Sequence, residues 1–194
     1  MSSSNPSSVS RPLTDSETHF YLPASRACVI PALAISDEEF KTVVALAGPN
    51  VICSHPTPGQ NIVDPPSPLH FGVHLSSLRM GLMLPLHPFV LHVLSYYDLV
   101  PGQLATVAHL FLAGFMAQCV HLRILLNMNI FRHFFYAARS GAYAAKGFIV
   151  QARPPFVRGS TLPRSHQNWE QKWVWITPTN GELPFVNRWG ELIC

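Results

Sequence analysis

A chain of 194 residues, 48% hydrophobic and only 12% charged, holds enough apolar material for one sizeable domain but about half the usual share of charge to cover it. Its surface must be clothed in Ser, Thr, His, Pro and Asn, or in part by a partner. The net charge of +3 divides unevenly, three basic against six acidic groups in residues 1–70 and ten against four in residues 71–194, with no run of adjacent Lys or Arg.

Residues 1–12 are polar and Ser-rich and are expected to be disordered. They contain no apolar signal core, so an oxidising compartment is not indicated. Cys28, Cys53, Cys119 and Cys194 form no Cys-x-x-Cys pair and read as free thiols of an intracellular chain. Residues 13–35 alternate short apolar patches with prolines and read as an extended lead-in.

The first helix is expected over 36–47. Ser36 and Glu39 have the spacing of a capping box, flanked by the apolar pair Ile35 and Phe40. Asp37 and Glu38 suit the positive end of the helix. Phe40, Val43, Val44 and Ala47 share one face, and Gly48-Pro49 stops it. Residues 49–70 hold six prolines, a density that excludes a helix or a central strand. The range 49–68 is therefore read as a linker, with the main domain running from 69 to 194.

Phe71, Val73 and Leu75 alternate with Gly72, His74 and Ser76, the period of a short strand. A bend follows at Gly81–Pro85. Pro88 suits the first turn of a helix over about 86–97. Pro101-Gly102 separates it from a second over about 102–122, whose apolar face contains Leu104, Val107, Ala108, Phe111, Leu112 and Phe115. Residues 104–120 fall short of the roughly 20 apolar residues that a membrane span needs, and His109 and Gln118 interrupt them. A third helix is expected over about 128–139, capped by Asn127 or Asn129.

Beyond it the period changes to two. Residues 147–152 and the aromatic run 171–176 read as strands, with 183–186 returning after the Asn180-Gly181 turn. The resulting fold class is α+β, a mainly helical core with a small antiparallel C-terminal sheet. The ending Glu191–Cys194 reads as an arbitrary stop, as from a truncated gene product.

Four motifs follow one another in order. They are Gly81-Leu82-Met83-Leu84-Pro85-Leu86-His87-Pro88-Phe89; Leu99-x-Pro101-Gly102-Gln103-Leu104; Phe131-Arg132-x-Phe134-Phe135; and Trp169-x-x-Lys172-Trp173-x-Trp175-Ile176. Together, from about 70 to 177, they resemble the plant domain family labelled "putative gypsy-type transposon", found in retrotransposon-derived and transposase-like reading frames. The chain departs from the family at Ala105-Thr106, where Pro-Asn is usual, and at Gln167-Asn168-Trp169, where Lys-x-Trp is usual. The resemblance implies mobile-element ancestry, brings no established active site with it, and is the sole ground for a nuclear location.

The residues themselves supply no convincing catalytic set. A metal-dependent nuclease needs converging carboxylates, and residues 71–194 offer only Asp98, Glu170, Glu182 and Glu191. Cys53-x-His55 followed by His70 and His74 has a zinc-like order, but His70 and His74 lie along an extended strand, so no metal and no cofactor is expected. No Gly-x-Ser-x-Gly elbow and no phosphate-binding loop is present. The expectation is a non-enzymatic structural or protein-interaction module, self-associating or binding a protein partner. The alternative is a nucleic-acid-binding module, with Arg153, Arg158, Arg164, Lys172 and Arg188 beside Trp169.

Overall fold

The computed structural model describes residues 35–139, 148–152 and 171–187. Residues 13–34 of the expected lead-in and the chain end lie outside the described residues, as do Cys28 and Cys194.

Helix α1 (Asp37–Ala47) begins with the expected capping box, in which Ser36 Oγ accepts from Glu39 N and the Glu39 carboxylate accepts from Ser36 N. Gly48 ends it at φ 78°, a conformation that favours glycine. Strand β1 (Val51–Ser54) follows at once. Its place inside the proline-rich stretch corrects the reading of that stretch as loop throughout. The four residues Val-Ile-Cys-Ser are themselves free of proline, and β1 is an edge strand, where flanking prolines are tolerated.

Strand β2 (Phe71–His74) runs straight into the short helix α2 (Leu75–Arg79), which the alternating pattern had hidden. Helices α3 (Pro88–Tyr96), α4 (Thr106–His121) and α5 (Met128–Phe134) follow, with a 3₁₀ turn at Pro101–Gln103 before α4. Pro88 opens α3, and Asn127 caps α5 through Oδ1, which accepts from Asn129 N at 2.7 Å.

The expected helix over 128–139 is five residues too long. Phe135 leaves helical geometry at φ −132°, ψ 160° and begins strand β3 (Phe135–Arg139), antiparallel to β4 (Phe148–Ala152). Strand β5 (Trp173–Pro178) does not join them. It lies between β1 and β2, antiparallel to both, with Cys53 and Phe71 both opposite Ile176. Residues 183–186 form no strand, and the turn closed by Gly181 N donating to Pro178 O leads into irregular chain.

The molecule is mainly helical with small antiparallel sheets, as the sequence implies. Val174 and Ile176 face the main core with Phe71, Val73 and the apolar sides of α2, α3 and α4. Phe89, Phe115, Phe131 and Phe135 join α3, α4, α5 and β3 in one aromatic cluster, with centroid separations of 5.1–5.9 Å. That spacing is favourable for aromatic pairs.

Candidate functional site

Among the described residues, four places hold chemistry or uncovered surface. The first is the other face of β5. Trp173 and Trp175 point away from the main core, yet both are buried, because the proline-rich segment folds over them and packs Ile62 against them. Trp175 Nε1 donates to Gln60 Oε1 at 2.8 Å, and the same oxygen accepts from Thr57 N at 2.8 Å. Gly72, opposite Trp175, leaves the room that Ile62 occupies. These two indoles are therefore closed to base stacking.

Lys172, immediately before β5, was a nucleic-acid candidate. Its Nζ lies 2.6 Å from Glu39 Oε1 and ties the strand to α1. The Glu39 carboxyl is held below the usual carboxylate range, first by that hydrogen bond and then by Ser36 N. Arg153, Arg158, Arg164, Trp169 and Arg188 lie outside the described residues.

The second place is a buried polar seam between β2, the 3₁₀ turn and α4. His74 is fully buried, with Nε2 3.0 Å from Gly102 O. Gln103, also buried, accepts from Val100 N at 2.8 Å. His109 sits in the buried face of α4. Burial, with His74 nearby, pushes its pKa down to about 3, so it is neutral at physiological pH. The zinc-like set does not converge: His55 stacks on Phe40, His70 Nδ1 contacts Ser67 Oγ at 2.7 Å, and His74 turns to Gly102. Among the described residues no group of three or more potential ligands is placed to hold a metal. Burial raises the pKa values of Cys53 and Cys119, both free thiols.

The third place is a cleft of about 480 Å³ between the Leu84–Leu86 segment and the Pro178–Phe185 segment. The fourth is an exposed apolar run where α4 ends. Val120, Leu122, Ile124 and Leu125 are 74%, 59%, 42% and 87% exposed. Sequence reasoning gave this helix one apolar face and overlooked its far end. The signal was there: apolar residues continue round every side of α4 and through the turn that follows, more than one buried face can use.

No helix among the described residues is long and apolar enough to cross a membrane. Residues 73–139 match the model of a family described as "Putative gypsy type transposon". The matched region contains the first three of the four recognised motifs and stops before Trp169–Ile176. Comparison with curated proteins and with solved structures found no match. The family match corrects one expectation. Its model is named for transposases, so catalytic potential belongs to the lineage and the flat exclusion of an enzyme does not stand.

Proposed function

We propose that this chain, whose residues 73–139 are a transposon-derived domain, serves as a protein-association module. The observation that carries the reading is the exposed run Val120, Leu122, Ile124 and Leu125. Exposed large apolar side chains grouped in one short stretch mark interaction sites on soluble proteins. Fully burying each large side chain is worth about 1.5–3 kcal/mol. Two or three of them in a partner's groove suffice to anchor a contact, and His121 and Arg123 between them supply polar orientation.

Sedimentation of the wild-type chain and of a Val120→Ser, Leu122→Ser, Leu125→Ser variant tests the reading. Wild type should associate as concentration rises through the micromolar range and should bind an apolar dye. The variant should keep its circular dichroism and lose both properties. A wild-type chain that stays monomeric throughout and binds no dye sinks the proposal.

A second reading, nucleic-acid binding through Arg153, Arg158, Arg164, Trp169, Lys172 and Arg188, is supported by the basic excess of residues 71–194. It predicts an affinity for single strands that falls steeply with salt. Lys172 contributes to it only by leaving Glu39.

A further inference from the structure

We infer that the cleft beside the Pro178–Phe185 segment is a binding site for an extended partner peptide presenting an aromatic or branched aliphatic side chain next to a lysine or arginine. Its volume of about 480 Å³ lies in the range typical of ligand sites. Phe71, Leu84, Leu86, Leu91, Leu183 and Phe185 make its walls apolar. The Phe71 and Phe185 rings meet edge to face at 5.2 Å and fix one side of the lining.

The polar groups at the rim are largely engaged within the protein. Asn50 O accepts from Thr179 N at 3.1 Å and from Thr179 Oγ1 at 3.0 Å. Asn180 Oδ1 accepts from Glu182 N at 3.2 Å. Glu182 is the ionisable residue of the lining, and its carboxylate has no basic partner among the described residues. An apolar body with a cationic neighbour satisfies both features. A phosphate-bearing ligand finds apolar walls and a like charge.

The rim also favours a peptide over a free amine. Val51 lines the cleft and is the first residue of β1, whose outer edge pairs with no strand among the described residues. Strand β1 thus carries an edge that no described strand pairs, reached from the cleft through Val51, and an extended peptide can add to such an edge.

The test is an amide-resolved NMR titration of the whole chain with N-acetyl-Phe-Lys-amide, N-acetyl-Phe-Glu-amide and N-acetyl-Gly-Lys-amide. The Phe-Lys probe should shift Val51, Leu91 and the Thr179–Leu183 amides at millimolar concentration. It should bind about two- to fivefold tighter than Phe-Glu, the range for a single exposed ion pair, while Gly-Lys should not bind. Glu182→Gln should remove the preference for lysine and leave the apolar contact. Leu91→Trp, which fills the cleft, should abolish binding, and its own spectrum reports whether it is folded. Site-limited shifts that are absent, that persist in folded L91W, or that show no charge preference overturn the proposal. The Val120, Leu122, Leu125 serine variant should titrate as wild type does, which keeps this outcome separate from that of the association reading.

Discussion

Gly72 shows how closely the proline-rich segment is fitted to the sheet. A Cβ there would overlap Cγ1 of Ile62, which is itself fully buried against Trp173 and Trp175. Gly72→Ala is therefore expected to cost about 1–3 kcal/mol in urea unfolding, as overpacking does. Ile62→Ala should cost about 2–5 kcal/mol, and the double variant should lose less than the sum because each change relieves the other. His109 gives a pH prediction. Its folded pKa of about 3 lies below the ordinary value of 6.5, so its contribution is complete above pH 6.5 and declines as pH falls towards 3. Each pH unit inside that window should remove about 1.4 kcal/mol of stability. His109→Leu should flatten the slope measured by denaturant midpoints between those limits. Residue-scale features with a local cause were legible in the sequence: the Ser36–Glu39 box, Pro88 at a helix start and Asn127 as a cap. His109 was read as an interruption of the apolar run, and a single histidine there carries no mark of how deeply the helix is packed.

At the level of elements, α1 is held by the burial of Val43 and Ala47, by its own cap and by an ion pair to Lys172, which immediately precedes β5. Ser36→Ala should cost about 1 kcal/mol. The depressed Glu39 pKa makes the associated stability full above about pH 4.5 and lost as the carboxyl protonates below it. Lys172→Met should reduce that acid-side dependence, because the Lys172 hydrogen bond is the largest cause of the shift. Helix faces were readable because their contacts repeat every three or four residues. Strand partners were not, because pairing is decided by residues far away in sequence. The end of α5 illustrates the difference: Phe131, Phe134 and Phe135 pack into the core under either geometry, so the apolar pattern alone cannot say where helix becomes strand. β1 escaped notice for a related reason, four residues giving too short a period to stand out among prolines.

For the molecule as a whole, the excess of apolar residues over charged ones was visible from composition, but its location was not. Part of it is consumed by covering β5 on both faces, the main core on one side and Ile62 on the other. Part remains outside, at the end of α4. The cleft was invisible in the sequence because its walls come from separate stretches around residues 50, 71, 84–91 and 178–185. The region that matches the transposon family, 73–139, includes only the second half of β2 and neither β1 nor β5. A fragment of residues 73–139 should therefore lack a cooperative thermal transition, whereas the full chain should show one by calorimetry.

The position of β5 also bears on how the protein is made. Both outer strands leave the ribosome long before the one that joins them, and closing so wide a gap is slow. Throughout that interval the growing polypeptide carries sticky, unpaired edges. A premature stop or frameshift anywhere between codons 75 and 172 thus deletes the whole three-stranded sheet rather than trimming it, and its product is material for chaperones and proteases.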